Sequence, residues 1–310
     1  MRISKGVLES DAILLLTAVI WGFAFTAQRL GMEHIGPYAF NAVRFALGSL
    51  SLLPLLLARR GAAARFPAEG GPRPRRAGRA AIVGIVLFAG SSLQQAGLVT
   101  TTAGNAGFIT CLYVVLVPLL GAFVGRKSGL RIWVGAIIAL VGLYILSIGA
   151  GFVMAKGDLL ELAGSFFWAI HILIVARFAA KMDAIELAIG QFAVCSALSL
   201  ACALATEPTP FAGTLAAAVP ILYGGIMSTG VAFTLQIVAQ RKAHPAHASI
   251  ILSMEALFAG VGGVILLGES LTIRLIAGGL LMLAGMIVSQ LEPLHPEGAR
   301  RNTEGGKGQQ

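Results

Sequence analysis

The chain has 310 residues, 57% of them hydrophobic and only 12% charged, whereas about a quarter of the residues in an ordinary soluble domain are charged. Its formal net charge is +9, which in a soluble protein would suggest nucleic acid. Here the basic residues gather between long apolar runs, a pattern that sets membrane orientation; no nucleic-acid partner is expected, and little sequence is left over to build a soluble domain.

A helix needs about 20 largely apolar residues to cross the roughly 30 Å hydrocarbon layer. Runs of that length lie at 11–31, 36–58, 80–100, 104–125, 130–149, 158–178, 183–205, 214–239, 246–267 and 272–291. They predict an all-α integral membrane protein of ten transmembrane helices. Span one follows Arg2 and Lys5, but Glu9 and Asp11 interrupt the signal-peptide pattern and Phe25 stands where cleavage wants a small residue. A retained helix is expected. It carries Trp21, Phe25 and Gln28 at i, i+4 and i+7, one helix face ending in an amide. Arg44 lies in span two, and the Arg-, Pro- and Gly-rich connector 59–79 is expected to be a mobile cytoplasmic loop.

Gln94 and Gln95 stand near the middle of span three, while Asn105 opens span four ahead of Thr110, Tyr113 and Pro118. Trp168 and His171 share a face of span six, and Gln191 lies in span seven. Glu255 falls near the middle of span nine, before Gly260, Gly262 and Gly263. Pro118 and these glycines are expected to interrupt spans four and nine, either lining a cavity with freed backbone groups or serving as hinges and packing points. The polar tail 292–310 is expected to be disordered and cytoplasmic. Cys111, Cys195 and Cys202 sit in apolar spans and read as packing residues. His244 and His247 have no neighbouring carboxylate or Cys to complete a metal site. Neither metal nor cofactor is expected.

With a cytoplasmic N-terminus and alternating spans, all of the 23 Lys and Arg except Arg29, Arg44, Lys156 and Arg274 fall on the cytoplasmic side. Both termini are therefore expected in the cytoplasm. The halves also resemble each other. An offset of 147 pairs Trp21-Gly22 with Trp168-Ala169, Asp11 with Asp158 and Arg44 with Gln191, while an offset of 143 pairs Gly125 with Gly268, Arg131 with Arg274, Gly135 with Gly278 and Gly142 with Gly285. Five spans per half force the second copy to insert upside down, the sequence sign of a secondary transporter with a midplane site between repeats.

Several motifs carry a family resemblance: Trp21-Gly22, Asn41-Ala-Val-Arg44-Phe45, the run Leu93 to Thr110, Leu112-Tyr-Val-Val-Leu-Val-Pro118, Glu255, and Leu267-Gly-Glu269-Ser-Leu-Thr. On these the chain resembles the EamA-type proteins of the drug/metabolite transporter superfamily over residues 11–291. One departure is Ala256, where members often have Pro. The resemblance implies two inverted five-helix repeats, 11–149 and 158–291, in a bacterial plasma (inner) membrane. It also implies export of small metabolites, amino acids or drugs.

Polar groups within hydrocarbon are costly, so each needs a reason. Glu255 reads as a substrate ligand or proton carrier, or as a helix-packing acceptor. Arg44 either pairs with an acid, contacts an anionic substrate or snorkels to the outer headgroups. Trp21, Phe25, Gln28 and Trp168 form aromatic walls that suit a small organic solute, or plain bundle packing. His171 is a proton shuttle or a satisfied donor. Gln94, Gln95, Asn105, Tyr113 and Gln191 bind solute or tie helices together.

An enzyme is not expected. H-E-x-x-H and G-x-S-x-G are missing, Ala155-Lys-Gly-Asp158 lacks the first Gly of an intramembrane aspartyl-protease motif, and no P-loop lysine appears. A channel would need a filter or charge rings. The reading that remains is an alternating-access secondary transporter, proton-coupled through Glu255 or His171 and carrying an amino acid, nucleobase or drug-like solute. Its partners are that small-molecule substrate and membrane lipids, and it acts as a monomer or homodimer.

Overall fold

In the computed structural model, which describes residues 5–63, 73–147, 156–267 and 272–290, every regular element among the described residues is helical. Three long helices come first: α1 (Lys5–Gly31), α2 (Pro37–Ala63) and α3 (Arg73–Gly97). Then follow α4 (Ala103–Thr110), α5 (Tyr113–Phe123) and α6 (Leu130–Ser147). The second half opens with α7 (Lys156–Ala179), α8 (Ala184–Thr206) and the short α9 (Ala218–Leu222). A π-helix, Tyr223–Phe233, joins α9 to α10 (Thr234–Ala239). The chain continues through α11 (Pro245–Leu252), α12 (Glu255–Leu267) and α13 (Ile273–Gln290). Among the described residues, 8 helical runs are long and apolar enough to cross a membrane, and Leu130–Ile145 and Ile276–Ser289 are shorter apolar helices.

The interior and exterior are reversed relative to a soluble protein. Leu50, Leu57, Ile85, Ile137, Leu159 and Leu204 face outward, while Asn41, Arg44, Gln95, Asp158, Glu161, His171, Gln191 and Glu255 are buried. Large apolar side chains cost nothing against lipid, whereas polar groups must find partners inside. This is a multi-pass membrane protein.

The helix ends show why the chain breaks where it does. Pro37 starts α2, where its missing N–H costs nothing, and Glu207 at the end of α8 caps that helix, accepting from Tyr38 N at 2.8 Å and Ala39 N at 3.2 Å. Asp183 caps α8 by accepting from Ile185 N and Glu186 N. The connector 59–79, expected as a loop, is helical at both ends, 59–63 in α2 and 73–79 in α3; residues 64–72 lie outside the described residues. The first turns of α3 are held by an Arg76–Glu186 ion pair at 2.7 Å and by Arg79 over the Phe178 ring at 5.9 Å. The motif residues Gly268, Glu269, Ser270 and Leu271 and the tail 292–310 also lie outside the described residues.

Spans four and nine are broken, but not at Pro118 or Gly260, Gly262 and Gly263. Pro118 lies inside α5, and these glycines lie inside α12. The breaks fall at Cys111–Leu112 and Ser253–Met254, where the backbone tightens to i→i−3 bonds: Val114 N to Cys111 O at 3.0 Å, and Ala256 N to Ser253 O at 3.2 Å.

The two halves of the chain interleave. α2 packs along α8, α3 along α7 and α8, and the π-helix along α1 and α2. α6 lies along α13 through glycines: a Cβ on Gly135 would stand 2.6 Å from Gly285 O, and one on Gly142 would stand 2.7 Å from Gly278 O. Such contact of backbone on backbone is how membrane helices gain packing where no hydrophobic force drives them together.

Candidate functional site

The polar groups converge where the two broken spans meet. Restarting each helix after its break aims the first side chain inward. Tyr113 opens α5 and Glu255 opens α12, and the Tyr113 hydroxyl donates to Glu255 Oε1 at 2.9 Å. Both are buried. Cys111 stands behind them, donating to Ser253 O at 3.5 Å and lying 3.6 Å from Glu255 Oε1. One residue before that break, Thr110 donates to Glu161 Oε2 at 3.1 Å.

Arg44 forms the opposite pole. Its Nε donates to Asn41 Oδ1 and its Nη1 to Gln28 Oε1, each at 2.8 Å. The guanidinium lies 4.7 Å from the Phe45 ring centroid and 5.7 Å from that of Phe40. At 3% exposure, Arg44 does not snorkel to the headgroups.

Aromatic rings fill the space between the poles. Phe233 is the hub, with Trp21 edge-on at 4.6 Å, Trp168 stacked at 6.0 Å and Phe192 at 5.9 Å. The π-helix supplies more than this ring. Its wide turn leaves Ser228 O to accept the Trp21 indole N–H at 3.2 Å, and Thr229 Oγ1 donates to Gly224 O at 2.7 Å.

The resulting cavity holds about 480 Å³ of space, part of it open to solvent. Of the residues singled out by sequence, Trp21, Phe25, Gln28, Arg44, Gln94, Tyr113, Trp168 and Glu255 line it, together with Thr110. The other four stand apart from it. Gln95 is buried and donates to Gln28 O at 3.4 Å. Asn105 sits in the first turn of α4, its backbone N–H capped by Thr102. His171 and Gln191 bond each other at 2.9 Å, fully buried, with the His171 ring edge-on to Phe233 at 5.8 Å. Ile172, Ser228, Phe233 and Gln236 also line the cavity. Sequence reading missed them, although an amide in an apolar span, as at Gln236, was a usable signal.

Two further clusters lie outside the cavity. His247 does have a carboxylate beside it: Asp11 Oδ1 at 2.9 Å from Nε2, with Ser289 Oγ 2.9 Å from Nδ1. These bonds tie α1, α11 and α13 together. The partner is 236 residues away in sequence, beyond the reach of any spacing argument. In the connector just before α11, His244 is held below the ordinary imidazole range, first by burial and then by the charges of Arg126 and His247. In the first turn of α7, Thr101 donates to Asp158, one turn before Glu161.

Two stretches of the chain, residues 9–148 and 155–290, match the model of the EamA-like transporter family. A protein of Archaeoglobus fulgidus named "Uncharacterized transporter" is 33% identical over 284 residues, covering 91% of this chain and 86% of its own length. The "Uncharacterized inner membrane transporter YedA" of Escherichia coli K12 is 26% identical over 286 residues, 90% of each chain. One solved crystal structure shares the fold, with a TM-score of 0.74 at 20% identity over 90% of this chain and 96% of its own.

Proposed function

The chain belongs to the EamA-like transporter family of the drug/metabolite transporter superfamily, and from that membership we propose that it is a secondary transporter exporting a small organic metabolite by alternating access. The observation that carries this reading is the position of the cavity. Its wall is drawn from both family-matching stretches, with Trp21, Gln28, Arg44 and Tyr113 from the first and Trp168, Phe233, Gln236 and Glu255 from the second. A solute bound there touches both halves, so rocking one against the other changes the side from which it is reached.

The halves act as inverted repeats. The glycine seam supports this: residues paired by the 143 offset, Gly135 with Gly278 and Gly142 with Gly285, make crossed contacts, Gly135 on Gly285 and Gly142 on Gly278. Crossed contacts of this kind mark a two-fold axis. The basic connectors orient both termini to the cytoplasm, and the name of the Escherichia coli relative suits the inner membrane. In this reading Arg44 meets an anionic group of the solute, the aromatic rings meet its apolar body, and Glu255 carries the coupled proton, so amino acids, nucleobases and drug-like solutes all fit.

The test is uptake and efflux of a labelled metabolite panel in proteoliposomes with an imposed pH gradient. Wild-type protein should move at least one class of solute, and Glu255→Gln should abolish its pH-driven accumulation. Normal, fully pH-responsive accumulation in that variant would remove Glu255 from the coupling role.

A further inference from the structure

A pair of acids stands behind the cavity wall. Asp158 and Glu161 lie one turn apart on α7, and each is 0% exposed. An acid in the first turn of a helix suits the helix dipole, which accounts for Asp158. It does not account for Glu161, a full turn deeper. Glu161 Oε2 accepts from Thr110, but its Oε1 is buried without a hydrogen-bond partner among the described residues. A glutamine at this position would keep the acceptor for Thr110 without placing a second acid in hydrocarbon. The carboxyl therefore calls for a chemical reason.

The surroundings supply one. A Cβ on Gly97 of α3 would stand 2.7 Å from Glu161 Oε1 and 2.9 Å from the Gly157 carbonyl, so only a glycine at 97 lets α3 lie this close to the carboxyl. Oε1, buried and without a donor among the described residues, costs less as the oxygen of a neutral acid than as that of a bare carboxylate. Thr110 is at once the donor to Glu161 and a lining residue of the cavity, where Tyr113 and Glu255 follow one turn on. On the other side of Glu161, Asp158 accepts from Thr101, near the end of the bundle where the exposed Lys156 begins α7. The titratable group whose charge acts on Glu161 is Asp158, one turn back on α7, and its hydrogen-bond donor is Thr110 of α4, one turn before Tyr113 and its partner Glu255. On α3 it is Gly97 that lies against the carboxyl.

We propose that Asp158 and Glu161 form a second proton-binding site, which exchanges protons with the cavity through Thr110 and with the membrane face where α7 begins. The ligand is a proton. It binds a carboxylate oxygen and leaves from it, so no other bond is made or broken. The proposal rests on the transporter reading for its use, but the occupancy of the site can be measured without any substrate.

Infrared difference spectra of purified wild-type protein, recorded across a pH titration, should show a protonated-carboxyl band that Glu161→Gln removes and Asp11→Asn leaves in place. In proteoliposomes that transport a solute, Glu161→Gln should retain solute counterflow and lose accumulation driven by a pH gradient. Thr110→Val keeps the acid but removes the hydroxyl link, so it should keep the band and slow pH-driven accumulation. It also serves as the test if Glu161→Gln fails to fold. A band unchanged in Glu161→Gln, or pH-driven accumulation equal to wild type, overturns the proposal while leaving the transporter reading intact. A band that responds to sodium at fixed pH also overturns it, in favour of a metal-cation site. Absence of transport by the wild type would count against the transporter reading, with the infrared result still deciding this one.

Discussion

Spans four and nine share a backbone design and differ in chemistry. Each stops for two residues, at Cys111–Leu112 and at Ser253–Met254, and each restarts on an inward-facing polar side chain. In one the side chain is a phenol, Tyr113; in the other it is a carboxylate, Glu255, and the two meet at 2.9 Å. Had both spans restarted on Glu, two buried like charges would face each other at hydrogen-bond distance, an arrangement that drives one of them to stay protonated. With Tyr at one position the pair is donor and acceptor. The shape is duplicated while the acid is supplied once.

The sharpest way to break this comparison is Tyr113→Glu. One of the two carboxyls must then stay protonated or sit as an unpaired buried charge, and the roughly 3–5 kcal/mol of the latter bounds the thermal stability this variant should lose, together with transport. Combining it with Glu255→Tyr restores one donor and one acceptor and should recover folded yield, read by melting temperature in detergent. If the double exchange is no better than the single change, the pairing of these two side chains is not what matters at the breaks. A middle-sized effect is expected at the glycine seam. Gly135→Leu and Gly142→Leu each push a side chain against the backbone of α13, and overpacking of this sort costs about 1–3 kcal/mol. Their crossed contacts predict similar falls in melting temperature for the two, and a large difference would argue against equivalent roles. Cys111→Ser should have the smallest effect, because a hydroxyl replaces a weak donor to Ser253 O. Its cost should stay below about 1.5 kcal/mol in the same melting assay.

Much of this architecture can be read directly from the residues. The thickness of the hydrocarbon layer forces long apolar runs, so helices such as α7 and α8 lie within about two residues of the spans expected for them. The face made by Trp21, Phe25 and Gln28 follows from helical spacing, and all three line the cavity. Other features leave no such trace. The breaks lack the Pro or Gly that usually marks an interruption, while Pro118 is accommodated inside α5. The π-helix is a matter of backbone register that no single residue type demands, so Ser228 and Phe233 could not be aimed in advance. Asp11 and His247 find each other only through the fold. Glu161 is different: the rule that drew attention to Glu255, an acid within an apolar span, applied to it equally well.

The indole contact made by Trp21 has a practical consequence. Of the 3 tryptophans in the chain, two, Trp21 and Trp168, border the cavity, and Trp21 is hydrogen-bonded to a carbonyl on the π-helix of the other half. Indole emission shifts with the polarity and hydrogen bonding around the ring. The protein therefore carries its own optical probe at the seam, and with Trp133 replaced by Phe its fluorescence would follow cavity occupancy and any change in the contact between α1 and the π-helix without any attached dye.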